Sequence, residues 1–167
     1  EVKNVKKSFD DKTVLHNIDA KFYDGQTNLI IGQSGSGKTV LMKSIVGLVR
    51  PEEGQILFDG RDIMDMKTPQ MKELRKEIGM LFQGSALFDY ETVLGNVMFP
   101  LVMFTNMSQA EMKERAQFCL ERVNLKGADK KYPSELSGGM QKRVAIARAI
   151  ALNPKYLFCD EPNSGLD

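Results

Sequence analysis

Two strand-like apolar runs open the chain, Val2 to Phe9 and Val14 to Phe22. The turn-prone pair Asp10-Asp11 separates them and Asp24-Gly25 closes the second, which predicts an antiparallel pair. Leu29-Ile30-Ile31 then reads as a compact apolar strand. From Lys38 the apolar positions Leu41, Met42, Ile45, Val46 and Val49 recur at helical spacing until Pro51 stops the pattern, giving a strand, a glycine-rich loop and a helix in succession. Gln55 to Phe58 predicts another strand. Thr68-Pro69 opens a helix to about Lys76, because proline suits a first helical turn, and Ile78 to Phe82 is the next buried strand.

Beyond Gln83 the pattern turns helical. Ser108-Gln109-Ala110-Glu111 forms a capping box ahead of Met112, Ala116, Cys119, Leu120 and Val123 on one face. A second helix is predicted from about Ser137 to Leu152, ended by Asn153-Pro154. Tyr156 to Cys159 is a short continuous apolar run of the kind found in parallel sheets buried on both faces. Strands alternating with helices, without an internal repeat or low-complexity segment, argue for an α/β core.

Composition narrows the partners. The 167 residues suit one domain, and 42% apolar with 27% charged residues is an ordinary globular balance. Lys and Arg number 23 and Asp and Glu 22, so the net charge of +1 creates no field that draws in nucleic acid or anionic lipid. Cys119 and Cys159 form no Cys-x-x-Cys pair, which predicts neither a disulfide framework nor a zinc site and suits a reducing compartment. The longest apolar run, Val97 to Phe104, is interrupted by Pro100 and falls far short of the ~20 residues that span a bilayer. The chain opens without an initiator Met or a charged-then-apolar leader, and both ends read as trimmed from a longer sequence.

The strongest chemical signal is Gly32-Gln33-Ser34-Gly35-Ser36-Gly37-Lys38-Thr39, a Gly-x-x-x-x-Gly-Lys-Ser/Thr loop placed where a strand gives way to a helix. Such a loop curls successive backbone N–H groups around phosphate oxygens at a helix N-terminus. Its lysine reaches the terminal phosphates and its hydroxyl ligates Mg²⁺. Asp160-Glu161 follows the apolar run 156–159, where one acid can hold Mg²⁺ through water and the next can polarise an attacking water. Leu136-Ser137-Gly138-Gly139-Met140-Gln141 opens a helix with small, donor-rich residues and so offers a second anion site.

In this order and spacing, these motifs and the closing Ser164-Gly165-Leu166-Asp167 resemble the ATP-binding cassette ATPases over nearly the whole chain. The resemblance implies a P-loop NTPase core with an antiparallel β subdomain and an inserted helical subdomain, cut short at its C-terminus. The core and β subdomain would take residues 1–83 and 153–167 and the helical subdomain 84–152. It implies ATP and Mg²⁺ as ligands, with Phe9 stacking on adenine and Val14 near the same ring. The loop from Gly32 to Thr39, with Val40 behind it, would hold the phosphates, and Thr39, Gln83 and Asp160 the metal. Gln83 would relay nucleotide state to a membrane partner, and Glu161 would be the general base. Ser137, Gly138, Gly139 and Gln141 would close on nucleotide held by a second copy in a head-to-tail homodimer, so that one chain carries two half-sites. Permease subunits and a place on the cytoplasmic, inner face of the cell membrane follow from the same resemblance.

Within that family, Gly79 to Phe88 with Thr92-Val93 and Asn96 to Leu101 look most like the ATPases of bacterial phospholipid-trafficking transporters that work with Mce-type lipid-binding proteins. Importers of amino acids or metals share much of the surrounding pattern and are the alternative. A soluble family member of DNA maintenance fits less well, because there is no sustained heptad, paired cysteines or basic run between Lys38 and Ser137. The family's switch histidine would lie beyond Asp167, so the stretch alone is expected to turn over little ATP. His16, near the start of the second strand, is no substitute, and Asn163 stands where many relatives carry Thr or Ser.

Overall fold

The computed structural model describes residues 1–161; Asn163 and the Ser164 to Asp167 motif lie outside the described residues. The chain forms two compact units, Glu1–Glu73 and from Leu74 onward.

The first unit is built on the antiparallel pair that the apolar runs predict. Strand β1 (Val2–Phe9) pairs with β2 (Lys12–Ala20), with Val5 opposite Ile18 and Phe9 opposite Lys12, and irregular register between. On its other edge β1 pairs antiparallel with β3 (Glu53–Phe58), which pairs with the two-residue β4 (Arg61–Asp62), so the sheet order is β2-β1-β3-β4. Helix α1 (Lys38–Ile45) follows the glycine-rich loop, and its buried Leu41, Met42 and Ile45 join Val2, Val5, Leu15 and Ile56 in the apolar interior of this unit. Leu29-Ile30-Ile31, expected as a strand, joins no ladder among the described residues, and Leu29 and Ile31 are 80% and 87% exposed. A strand of this composition depends on neighbours along its edges, and the sheet of this unit does not include it.

Helix α2 (Thr68–Lys76) leads into the second unit. There β5 (Ile78–Leu81) pairs in parallel with β6 (Tyr156–Cys159), Ile78 opposite Tyr156 and Leu81 opposite Cys159. Burial along β6 alternates rather than running continuously, and Leu157 is half exposed, because β6 pairs along one edge only among the described residues. Between the strands lie α3 (Val93–Phe104), α4 (Gln109–Arg122), a 3-10 turn over Pro133–Glu135 and α5 (Gly138–Ala149). Their core takes Val93, Val97 and Leu101 from α3, Met112, Ala116, Cys119 and Leu120 from α4, and Val144 and Ala147 from α5. Those spacings of three and four place each set on one helical face. The predicted capping box is present: Glu111 N–H donates to Ser108 Oγ and Ser108 N–H to Glu111 Oε2.

The pattern that turns helical beyond Gln83 sets no bounds for helix α3, inside which Pro100 removes one backbone donor. Its start is fixed chemically. Thr92 Oγ1 accepts from Gly95 N–H, and the fully buried Asn96 accepts from Phe88 N–H at 2.8 Å. Asn96 Nδ2 donates to the carbonyls of Phe88, Glu91 and Thr92 at 3.0, 3.2 and 3.0 Å. One amide thus satisfies the backbone of the segment that enters the helix. Asn96→Ala leaves these partly buried groups without their partner and is expected to lower stability by about 1–3 kcal/mol. Thermal unfolding of the full-length protein checks this, and a midpoint unchanged from wild type would assign the segment's order to other contacts.

Candidate functional site

The loop of the first unit is shaped by its glycines and by Lys38. Gly37 caps α1 in the left-handed region at φ 94°, and a Cβ there would stand 3.1 Å from Val14 Cγ1 and 3.2 Å from the Val14 carbonyl, so only glycine passes so close to β2. The N-cap Gly37 makes no side-chain cap hydrogen bond, and a helix start of this kind is where backbone amides serve an anion. Lys38 Nζ donates to the carbonyls of Gly32 and Gln33, both at 2.8 Å, folding the ammonium back over the loop it belongs to. Ser36 N–H donates to the Gln33 carbonyl at 3.2 Å and closes the turn. A Cβ at Gly35 would meet nothing within 4 Å, so the loop tip has open space beside it. A cation, a helix start without a side-chain cap and open space beside the loop tip together fit a phosphate chain.

Val14 therefore lies against Gly37, at the base of the loop. Phe9 ends β1 with its ring 45% exposed and Lys7 Nζ 5.0 Å from its centroid, while Lys7 also pairs with Glu52 at 2.6 Å. The aromatic residue is thus exposed at the end of the strand. Thr39 and Val40 lie in the first turn of α1, Ser34 is exposed on the loop, and His16 is exposed on β2.

In the second unit the register of β5 and β6 explains how two distant residues meet. Leu81 lies opposite Cys159, so two residues further along each parallel strand Gln83 arrives beside Glu161, and Gln83 Nε2 donates to Glu161 Oε2 at 2.6 Å. Asp160 N–H donates to the Leu81 carbonyl at 2.9 Å, extending the ladder, and Asp160 is 7% exposed. The motif acids thus sit where both strands end, as a strand-end site requires. Among the described residues no group of three or more His, Cys, Asp or Glu could by itself hold a metal. Mg²⁺ is commonly held by one or two carboxylates with phosphate and water completing the shell; in this unit the amide of Gln83 and the carboxylate of Asp160 are oxygen donors of that type, and in the first unit the hydroxyl of Thr39 is one.

At the N-terminus of α5, Ser137 is the cap and its Oγ accepts from Met140 N–H at 3.3 Å. A Cβ at Gly138 would meet nothing within 4 Å, so this chain's own packing does not demand glycine there. Gln141 acts locally, since its Nε2 donates to the Pro133 carbonyl at 2.9 Å and ties α5 to the 3-10 turn. Cys119 is a core residue, with its thiol pushed up by burial, and Cys159 is also a free thiol.

Two side chains that no motif marks also support the site. Asn96 fixes the segment after Gln83, as described above. Arg148, near the end of α5, donates to the carbonyls of Ser85 and Ala86, both at 2.8 Å. Beside them lies a groove of about 260 Å³ lined by Phe82, Phe88, Phe99 and Phe104 with Arg75 and Arg148. No helix among the described residues is long and apolar enough to cross a membrane.

Residues 15–164 match the family model described as ABC transporter. The chain is 43% identical over 167 residues to the intermembrane phospholipid transport system ATP-binding protein MlaF of Haemophilus influenzae, covering all of this chain and 63% of that protein. It is 41% identical to a probable ribonucleotide transport ATP-binding protein, mkl, of Mycobacterium leprae, again over all of this chain and 48% of that protein. The chain thus spans about half to two-thirds of the length of these curated relatives. The solved dimeric structure of MJ0796, a bacterial ABC transporter cassette, superposes with a TM-score of 0.92 at 35% identity, covering 99% of this chain and 75% of that one. With its phosphate-type loop, its paired strand-end acids and its serine-capped α5 each in place, the chain belongs to the ABC transporter family.

Proposed function

We propose that this chain belongs to the ATP-binding and ATP-hydrolysing subunit of a bacterial ABC transporter. The observation that carries the reading is the Lys38 ammonium, held 2.8 Å from two carbonyls of its own loop at an uncapped helix start. Lys38 and the loop amides bind the phosphates, and Phe9, with Val14 behind the loop, takes the base. Thr39, Gln83 and Asp160 would hold Mg²⁺, which when bound would supply charge neutralisation on the phosphates. Glu161 accepts the proton of the attacking water at its carboxylate, and Lys38 stabilises charge developing on the transferred group. Ser137 with the Gly138 and Gly139 amides serves the nucleotide of a second copy, a reading supported by the dimeric state named for MJ0796.

The partners in this reading are a second identical subunit and integral-membrane permeases, with the subunit on the cytoplasmic face of the cell membrane. The aromatic groove beside the Gln83 segment, with Arg75 and Arg148 in its lining, suits an apolar permease segment. For the cargo we propose phospholipid or another lipid, with an Mce-type lipid-binding protein as a further partner. The likeness of residues 79–101 to lipid-trafficking ATPases and the name of the MlaF relative support this. Purification of the full-length protein from its own membranes, with identification of the bound polypeptides, tests the cargo. A permease together with an Mce-domain protein is expected, and a periplasmic solute receptor in its place would overturn the lipid assignment.

A further inference from the structure

The turn behind Gln83 has a conformation that its own sequence does not favour. Ser85 and Ala86 both have left-handed backbones, at φ 59° and 47°, although neither is glycine or asparagine. Their local hydrogen bonds are short-range: Ser85 N–H donates to the Phe82 carbonyl at 3.1 Å and Ala86 N–H to the Gly84 carbonyl at 2.6 Å. The longer-range hold comes from Arg148, whose two terminal nitrogens donate to the carbonyls of these same two residues. The guanidinium carbon lies 5.8 Å from the centroid of Phe88, whose own backbone N–H and C=O are held by Asn96. Strand and helix also touch directly at Gly79 of β5, where a Cβ would collide with the Ala149 carbonyl of α5.

We propose that Arg148 is a positioning residue that straps the turn behind Gln83 to α5, so that Gln83 and the Ser137 end of that helix shift as one body. A planar guanidinium can serve two adjacent carbonyls at once, which the single ammonium of lysine does less well. The functional half of this proposal rests on the ATPase reading above, since it ties the residue facing Glu161 to the residues that serve a second copy's nucleotide. The strap itself does not depend on that reading.

Two arms on the full-length protein test it. In hydrogen exchange, Arg148→Lys is expected to speed the amides of residues 84–88 at least ~10-fold while α4 keeps its protection. Unchanged exchange at 84–88 overturns the strap. If Arg148→Lys does not fold, the wild-type protein decides: amides at Ser85 and Ala86 exchanging at open-loop rates overturn it, and protected ones support it. In phosphate release, Arg148→Lys is expected to lower kcat about 10-fold with KM for ATP within about 3-fold, to add no further loss on Gln83→Ala, and to recover in part with Ala86→Gly, which takes a left-handed backbone at no steric cost. A loss that multiplies with that of Gln83→Ala overturns the proposed route through Gln83. Absence of wild-type turnover instead overturns the ATPase reading and leaves the exchange arm to decide the strap.

Discussion

Full-length Glu161→Gln is expected to lose at least ~10²-fold in ATP turnover while binding ATP within about 3-fold of wild type. The substitution keeps the shape of the side chain and an oxygen that can still accept from Gln83 Nε2, the contact seen at 2.6 Å. It removes the carboxylate that we propose takes the proton of the attacking water. With chemistry blocked and binding intact, the ATP-bound form accumulates, and gel filtration in ATP and Mg²⁺ should show a dimer that wild type populates only transiently. Normal turnover by this variant would assign the base to another residue.

Lys38→Ala is expected to weaken ATP binding by about 10- to 100-fold, the range for losing a charge-assisted hydrogen bond. The ammonium is the charge the loop holds in place through Gly32 and Gln33. Both carbonyls belong to exposed residues, so water replaces the lost donor and the nucleotide-free fold keeps its stability within about 0.5 kcal/mol. The contrast is the signature: equal unfolding midpoints without nucleotide, and a midpoint raised by ATP in wild type but not in the variant. Fluorescent-nucleotide titration measures the affinity directly, and wild-type affinity in Lys38→Ala would reduce the loop to a turn.

Much of this architecture is legible in the sequence, and the exceptions share a cause. The strands at 2–9 and 78–81 and the helices at 68–76, 109–122 and 138–149 follow from spacing and caps that act within a few residues. The bounds of helix α3 escape the pattern, which Pro100 interrupts, and the contacts that stabilise it come from Asn96 reaching back to Phe88. The run 29–31 reads as a strand by composition, yet a ladder needs a partner edge, which composition does not report. Of the candidate site residues, Lys38, Asp160, Glu161 and Ser137 stand in motifs legible in the sequence, and Gln83 comes from the family resemblance. Arg148 and Asn96 act on backbone carbonyls, which carry no residue signature, so only the fold identifies their targets.

The central claim is ATP hydrolysis by the subunit to which these residues belong, and steady-state phosphate release by the full-length protein tests it most directly. At saturating ATP and Mg²⁺, with the membrane partner present, wild type should release phosphate at least ~10²-fold faster than Glu161→Gln assayed beside it. Wild-type release no faster than that of Glu161→Gln would contradict the account.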